Sequence, residues 1–213
     1  IVAMAKNLFS GDKTIRMGEW ANTPRTPLRS STLGIVGLGR IGKALATRAT
    51  AMSMRILATE KYPDEIFVKE NNIELVDLET LLKNADFVSL HCPLNDETRG
   101  IINNKTIALM KPSACLINTA RGGLIVESDL ITALKSHQIA NAGIDVFEIE
   151  PTKADNPLFE LDNVILSPHV AGVDTLSLRS MRIDAATNIV RLYKGEWPED
   201  SVVNNELRDQ WSW

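Results

Sequence analysis

A glycine motif near the start of the chain carries the clearest chemical meaning. The segment LGIVGLGRIGKAL places Gly37, Gly39 and Gly42 in GxGxxG spacing, after an apolar run and at the start of a helical pattern. In that context Gly37 permits a tight turn, Gly39 lets the backbone approach a pyrophosphate, and Gly42 lets the helix pack on the strand. The amides at the helix N-terminus then hold the anion. The motif predicts a dinucleotide site.

An acidic residue follows at the distance such sites require. The next apolar run, MRILATE, ends at Glu60, about 20 residues after the motif. A carboxylate there accepts hydrogen bonds from both ribose hydroxyls and repels a 2′-phosphate, which favours NAD over NADP. The adjacent Lys61 leaves NADP open, and Glu60 alone is also compatible with a solvated charge at a strand end.

Further along, the segments INTARGG, AGIDVFEIEP and LSPHVAG place polar side chains directly after apolar runs. Open α/β sheets bind ligands at the carboxyl ends of their strands. Arg121 has a planar guanidinium that stays charged and matches a carboxylate. His169 has an imidazole, whose ordinary pKa of about 6.5 lets it take and return a proton near neutrality. Taken singly, the two residues could also be a surface arginine and a structural histidine.

In this order, the glycine motif and the three segments resemble the D-2-hydroxyacid dehydrogenase family, which includes phosphoglycerate, D-lactate, glycerate, formate and phosphite dehydrogenases. The resemblance runs from an initial helix ending in RMGEW to SVVN near the C-terminus. It implies an NAD-dependent oxidoreductase that transfers a hydride between nicotinamide and C2 of a D-2-hydroxy acid or 2-keto acid. It keeps 3-phosphoglycerate among the candidate substrates.

The resemblance also implies catalytic roles. Arg121 would hold the substrate carboxylate and polarise the reacting carbonyl, and His169 would act as acid and base. Glu150, the carboxylate before the proline of FEIEP, would orient the histidine and favour its protonated form. Glu148 is the competing choice for that role. Asp145 of GIDVF would bind the nicotinamide carboxamide and is not expected to be the catalytic acid.

The remaining cofactor contacts follow from the same resemblance, residue by residue. Arg40 and Ile41 would lie against the pyrophosphate, and Cys92 of HCPL would lie on the adenine side. Small residues would line the approach of the nicotinamide. The predicted cofactor-binding set is Gly37, Gly39, Arg40, Ile41, Gly42, Glu60, Cys92, Thr119, Ala120, Arg121, Asp145, His169, Ala171 and Gly172. No metal ligand is expected.

The hydrophobic pattern supplies the elements that position these residues. From Thr32 onward, short apolar runs alternate with stretches of helical spacing. The alternation predicts βαβ units around a parallel sheet buried on both faces, which is a doubly wound α/β fold of the Rossmann type. Residues 1–17 are predicted to form one helix ahead of a proline-containing linker. A long helix is predicted from about Asp174 to Lys194, followed by a loop.

These patterns divide the chain into three predicted parts. Residues 1–30 form a connecting helix and linker, 31–172 the NAD-binding domain, and 173–213 a second connecting helix that begins the return to a substrate domain. The chain opens with Ile1 and ends in WSW, which is typical of a piece of a longer protein. The resemblance places most of the substrate domain outside this sequence. We therefore expect the chain to bind NAD but to turn over little alone.

Composition narrows the classes of function. The chain has 213 residues, 44% hydrophobic and 23% charged, with no apolar run long enough to span a membrane and no signal-peptide pattern. A net charge of −4 disfavours a nucleic-acid surface. Cys92 and Cys115 lie beside apolar runs and are predicted to be buried thiols. We expect a cytoplasmic protein whose partner is a small 2-hydroxy or 2-keto acid, and we expect it to bind neither membranes nor nucleic acid. The resemblance also implies that the protein is a homodimer.

Two other functions stay open on sequence grounds. An NAD(H)-sensing module of the corepressor type shares this fold and keeps similar residues, without physiological turnover. A Rossmann protein for an S-adenosyl ligand would also use the glycine loop. That protein would have no need of Arg121, Glu150 and His169 together.

Overall fold

The computed structural model describes residues 1–20 and 22–211. Its contacts divide the chain into two units, Ile1–His169 and Val170–Trp213. The first unit contains the sheet, and the second contains one long helix and the segment after it.

A parallel sheet forms the centre of the first unit. In the described residues it has seven strands in the order β3-β2-β1-β4-β5-β6-β7. The strands are β1 (Thr32–Val36), β2 (Arg55–Thr59), β3 (Glu74–Leu75), β4 (Phe87–Leu90), β5 (Cys115–Asn118), β6 (Asn141–Ile144) and β7 (Val164–Leu166). The chain runs outward from β1 to β3 and then returns to β4 on the other side of β1. This confirms the predicted doubly wound α/β fold, whose switch point lies between β1 and β4.

Helices connect the strands. The α-helices are α1 (Val2–Ala5), α2 (Leu8–Arg16), α3 (Arg40–Ala51), α4 (Glu65–Glu70), α5 (Leu78–Asn84), α6 (Asn104–Ile107), α7 (Glu127–Lys135) and α8 (Thr175–Tyr193). Short 3₁₀ segments span Gly122–Leu124, Pro157–Glu160 and Asn205–Gln210. Several helices begin at an Asp or Asn whose side chain accepts an amide of the first turn, which satisfies a donor that the helix itself leaves unpaired. None of the described helices is long and apolar enough to cross a membrane.

The first helix differs from the sequence prediction. A single helix was expected over residues 1–17, whereas the structure has α1 and α2 with a break between them. Asn7 has a left-handed backbone, with φ of 47°, and the helix cannot continue through it. Asparagine is one of the few residues that adopts this conformation at small cost. The break leaves Met4 and Ala5 of α1 buried and turns α2 toward solvent.

The sheet is buried on both faces. Every residue of β1 and β4 is buried. On β5, Leu116 packs into one apolar cluster, while its neighbours Cys115 and Ile117 pack into the other. Successive side chains of a strand point to opposite faces, so the two clusters cover the two faces of the sheet. A sheet packed in this way holds the ends of its strands in fixed positions.

The second unit begins with a capped helix. Asp174 accepts hydrogen bonds from the amides of Leu176 and Ser177, each at 2.8 Å, and α8 follows as predicted. After α8, the indole of Trp197 donates to Asn205 Oδ1 at 2.7 Å.

Candidate active site

The predicted site residues of the first unit lie at the carboxyl ends of the parallel strands. Gly37, Gly39, Arg40, Ile41 and Gly42 follow β1, Glu60 follows β2, Cys92 follows β4, Thr119, Ala120 and Arg121 follow β5, Asp145 and Glu150 follow β6, and His169 follows β7. All of these strands run in the same direction, so these residues share one edge of the sheet. Ala171 and Gly172 belong to the second unit, and their approach to the cofactor stays a prediction.

The glycine turn has no room for side chains at two of its positions. Gly37 has a φ of +97°, and a Cβ there would lie 2.5 Å from the amide nitrogen of Cys92. A Cβ on Gly42 would lie 2.2 Å from the carbonyl oxygen of Gly37. At Gly39, the N-cap of α3, an added Cβ would meet nothing within 4 Å. The turn is therefore closed toward the protein and open at the N-terminus of α3, which fits a pyrophosphate.

The first turn of α3 presents two further predicted contacts. Arg40 and Ile41 are both exposed, beside the buried Gly42. An exposed Ile at a helix start is accessible to a bound molecule.

A cleft of about 330 Å³ lies beside the glycine turn, between the ends of β1, β2 and β4. We call it the adenosine cleft. Its walls are formed by Val36, Gly37, Thr59, Glu60, Lys61, Tyr62, Cys92, Pro93, Asn95, Glu97, Thr98 and Ile101. Glu60 Oε2 accepts the amide of Leu38 at 2.7 Å, and Oε1 accepts the amide of Tyr62 at 3.1 Å. Each carboxylate oxygen keeps acceptor capacity for a ribose hydroxyl, so the donor and acceptor set fits a dinucleotide.

The two cysteines differ in burial. Cys115 is buried in the sheet as predicted, but the prediction that Cys92 is buried was wrong. Cys92 is half-buried because it forms part of the wall of the adenosine cleft. Partial burial raises the pKa of its thiol, and the charge of nearby Glu60 adds to the increase.

Sequence reasoning missed Asn118, which shapes the loop that carries Arg121. The Asn118 side chain is fully buried at the end of β5. Its Oδ1 accepts the amide of Ala120 at 3.0 Å, and its Nδ2 donates to the carbonyl oxygen of Arg121 at 2.9 Å. Such side-chain bonds to nearby backbone define an Asx-type turn. An asparagine directly after an apolar run was the signal that could have identified it.

Gly122 was also missed, and it sets how closely two loops approach. A Cβ on Gly122 would lie 1.8 Å from the carbonyl oxygen of Phe147, so only glycine fits. The loop of Arg121 therefore packs directly on the backbone that leads to Glu150. The Arg121 side chain is exposed, and its Nη1 donates to the carbonyl oxygen of Ala120 at 2.6 Å. The double glycine of ARGG was the available signal.

A carboxylate and an imidazole meet at the ends of β6 and β7. His169 Nδ1 lies 2.8 Å from Glu150 Oε2, and Glu150 Oε1 accepts the amide of Phe147 at 2.9 Å. Glu148 lies apart from this pair, and its amide donates to Glu127 Oε2 at 3.3 Å. Of the two carboxylates that the sequence left open, the structure places Glu150 against the histidine.

The hydrogen bond to His169 is the main reason that the pKa of Glu150 lies below its ordinary value. The amide of Phe147 lowers this pKa further, and the charge of Arg121 makes a smaller contribution in the same direction. Glu150 is therefore ionised near neutral pH and accepts the Nδ1 proton of the ring. Nε2 is the ring nitrogen that remains to exchange a proton.

His169 has an uncommon backbone conformation. Its φ is +54°, in the left-handed region that non-glycine residues rarely adopt and that recurs at functional sites. Its amide donates to the carbonyl oxygen of Asp145 at 2.8 Å. Ser167, another residue absent from the sequence prediction, donates through Oγ to Asp145 Oδ1 at 2.5 Å. These bonds connect the end of β7 to the end of β6 and restrain the backbone of His169, from which the imidazole extends.

A second cleft lies beside the Glu150–His169 pair. It has a volume of about 500 Å³, and its walls are formed by Phe147, Glu150, Pro151, Thr152, Pro168 and His169. Besides Glu150 and His169, most of the side chains in these walls are apolar. An imidazole and a carboxylate next to an apolar wall are an arrangement that small-molecule sites use.

The other histidines have different surroundings. His91 Nε2 lies 2.9 Å from Ser89 Oγ, and burial lowers the pKa of His91 to about 4. It is therefore neutral near neutral pH, which suits a packing role. His137 follows the end of α7 and is exposed. Among the described residues, no group of three or more His, Cys, Asp or Glu side chains could hold a metal ion.

Comparison with known proteins agrees with this geometry. Residues 1–171 match the family described as D-isomer specific 2-hydroxyacid dehydrogenase, NAD binding domain. The chain belongs to this family. The resemblance found in the sequence is confirmed, and so is the choice of NAD as the cofactor of the domain.

Relatives of this chain within the family carry different names. A glyoxylate reductase of Korarchaeum cryptofilum is 42% identical over 213 residues, which cover 97% of this chain and 64% of the relative. A D-3-phosphoglycerate dehydrogenase of Methanocaldococcus jannaschii is 40% identical over 205 residues, which cover 95% of this chain and 39% of the relative. The chain thus spans less than two thirds of the length of these curated relatives.

A solved structure gives the same result for the fold. The crystal structure of a D-lactate dehydrogenase with NAD+ from Lactobacillus jensenii superimposes with a TM-score of 0.83 at 32% sequence identity. The match covers 92% of this chain and 63% of that one.

Proposed function

We propose that this chain is the NAD-binding part of an oxidoreductase that transfers a hydride between nicotinamide and C2 of a D-2-hydroxy acid or 2-keto acid. The observation that carries the proposal is the 2.8 Å pair of His169 and Glu150 on the same sheet edge as Arg121 and the glycine turn. A proton carrier, a fixed cation and a dinucleotide cradle are what such a reaction requires from the protein.

His169 is the proposed acid and base. When bound, NAD supplies or accepts the hydride. In the reductive direction His169 Nε2 gives a proton to the carbonyl oxygen at C2 of the substrate, and in the oxidative direction it takes the hydroxyl proton. Glu150 accepts the Nδ1–H of the ring, which fixes the orientation of the ring. Arg121 binds the substrate carboxylate through its planar fork and polarises the reacting carbonyl.

The cofactor contacts are proposed along the same edge. Gly37, Gly39, Gly42, Arg40 and Ile41 would surround the pyrophosphate at the N-terminus of α3. Glu60 would accept the ribose hydroxyls, and Cys92 would lie on the adenine side. Asp145 would bind the carboxamide. The approach of the nicotinamide would be lined by Thr119, Ala120, Ala171 and Gly172.

Several broader features belong to the same proposal. The relatives named glyoxylate reductase make glyoxylate and other small 2-keto acids the first candidates, with 3-phosphoglycerate as another. We propose a homodimer in the cytoplasm, without membrane or nucleic-acid contacts. The exposed Leu8, Phe9 and Ile15 of α2 support self-association, because several large apolar side chains are exposed on one helix. Sedimentation of the whole protein tests the dimer.

A substrate panel tests the proposed reaction. The whole protein is mixed with NADH and glyoxylate, pyruvate or phenylpyruvate, and separately with NAD+ and 3-phosphoglycerate. We expect NADH consumption with at least one 2-keto acid, and only the D-isomer of the hydroxy acid where the product is chiral. Formation of the L-isomer would contradict the proposal. NADH binding without turnover of any substrate would instead favour the NAD(H)-sensing module, which no observation in the structure supports over the enzyme.

A further inference from the structure

A salt bridge joins two walls of the adenosine cleft. Lys61 directly follows Glu60 after β2, and Glu97 lies in the loop after β4. The ammonium of Lys61 lies 3.0 Å from each carboxylate oxygen of Glu97. It also lies 6.0 Å from the centre of the Tyr62 ring. The amine is therefore engaged by both an anion and an aromatic face.

The loop that carries Glu97 is internally fixed. Asn95 Oδ1 accepts the amides of Glu97 and Thr98, at 3.0 and 3.1 Å. Thr98 Oγ1 donates to the carbonyl oxygen of Pro93 at 2.6 Å. Asx turns of this kind restrict the backbone. The backbone from which the Glu97 side chain reaches Lys61 is thus restrained.

The balance of charge in the adenosine cleft depends on this pair. Among the described residues that form its walls, Glu60 and Glu97 are acidic and Lys61 is the only basic one. A 2′-phosphate, which distinguishes NADP from NAD, is an anion that requires a cation nearby. Lys61 is adjacent to the proposed ribose acceptor, and its flexible stem would allow it to turn toward such a phosphate.

We propose that Glu97 is a specificity-determining residue for the dinucleotide. By binding Lys61, it withholds the basic side chain of the adenosine cleft from a 2′-phosphate and leaves a net negative surface there. NAD binds without that cation, because its ribose hydroxyls need only the acceptor Glu60. The inference rests on the proposed function, since it takes the cleft to be the site of the adenosine.

The size of the effect follows from solvent exposure. The side chains of Lys61 and Glu97 are 60% and 71% exposed, so water and salt screen their attraction. Releasing an exposed lysine from such a pair changes affinity by about two- to fivefold. Removing the repulsion between Glu97 and the phosphate adds to this, for a total of about three- to tenfold at low salt.

Binding titrations of the 213-residue chain with NADH and with NADPH test the proposal. The variants are Glu97→Gln and the double variant Lys61→Met, Glu97→Gln. Glu79→Gln is the matched control, because Glu79 forms a similarly exposed salt bridge with Lys83 on α5, outside the adenosine cleft. We expect Glu97→Gln to tighten NADPH binding by about three- to tenfold while NADH binding changes less than about twofold. The double variant should lose the part of the gain that depends on Lys61, and Glu79→Gln should match wild type.

Each other result has a definite reading. An unchanged ratio of NADPH to NADH affinity in Glu97→Gln would overturn the role of Glu97 while leaving the proposed function intact. An equal gain in the double variant would show that Lys61 is not the agent, which also overturns the proposal. Absence of NADH binding by wild type would overturn the proposed function itself, and with it this inference.

Discussion

The sheet edge that carries the candidate site has two halves, which differ in whether backbone or side chains determine their properties. At β1, β2 and β4 the shape depends on backbone, since Gly37 and Gly42 occupy places where a Cβ does not fit. At β5 to β7 the proposed chemistry depends on the half-exposed or exposed side chains of Arg121, Glu150 and His169. The glycine turn of the backbone half is sensitive to added atoms, and the side-chain half should lose its proposed chemistry when one of these three functional groups is removed. Cofactor binding and reaction should therefore be damaged separately.

The largest expected effect is on the side-chain half. His169→Gln removes the proposed acid and base but retains a polar side chain of similar reach. We expect turnover of the whole protein to fall by about 10²- to 10⁴-fold. Steady-state kinetics with the best substrate of the panel measure it. His137→Gln is the matched control, because His137 has the same left-handed φ of 54° but lies at the end of α7. Equal losses in the two variants would mean that backbone strain, rather than imidazole chemistry, is responsible.

Arg121→Ala tests the substrate contact of the same half. Loss of charged, bidentate hydrogen bonds should lower kcat/KM by about 10²-fold, because such bonds contribute about 1.5–3 kcal/mol. Arg121→Lys keeps the charge but lacks the planar fork, so it should recover only part of the loss. NADH affinity measured by titration should stay near wild type in both. A large loss of NADH binding with normal turnover at saturating cofactor would disprove the assignment.

Added methyl groups test the backbone half. Gly42→Ala places a Cβ against the carbonyl oxygen of Gly37, so we expect the free energy of unfolding to fall by about 1–3 kcal/mol. Gly39→Ala meets open space and should change stability by less than about 1 kcal/mol. Urea denaturation of the 213-residue chain compares the two. Equal stability of the two variants would contradict the tight closure of the turn.

An effect of pH on stability, of similar or smaller size, is expected from His91, which directly follows β4 in the backbone half. Burial lowers the pKa of His91 to about 4, whereas an unfolded histidine titrates near 6.5. Between these values the unfolded chain binds a proton that the folded chain does not, so stability falls as pH decreases through this window. His91→Gln should remove about 2 kcal/mol of the loss between pH 7 and pH 5. Denaturation of wild type and variant at both pH values measures the difference, and parallel pH curves would show that His91 does not contribute.

Much of the fold was predictable from sequence because periodicity reports burial. The apolar runs of β1, β4 and β5 are buried on both faces, and this requirement alone gives a parallel sheet covered by helices. The break at Asn7 was not predictable from spacing, since the apolar residues on both sides keep a helical period. Short edge strands such as Glu74–Leu75 are also hard to predict, because two residues are too few to show a hydrophobic period.

The site was less predictable, because its contacts join distant parts of the chain. Motifs located Arg121 and His169 and favoured Glu150 over Glu148, and the structure adds the contact itself, between His169 Nδ1 and Glu150 Oε2. Nothing in SPHVAG signals the left-handed backbone of His169. The bridge from Lys61 to Glu97 spans two loops and has no local signature.

A single NADH titration series on the 213-residue chain tests most directly whether one half of the edge binds the cofactor and the other half reacts. We expect saturable binding by wild type and nearly unchanged affinity in His169→Gln. We expect Glu60→Ala to weaken binding by about tenfold or more, since it loses charged hydrogen bonds to ribose. Lack of saturation by wild type, or a loss in His169→Gln as large as that in Glu60→Ala, would contradict the division of the site.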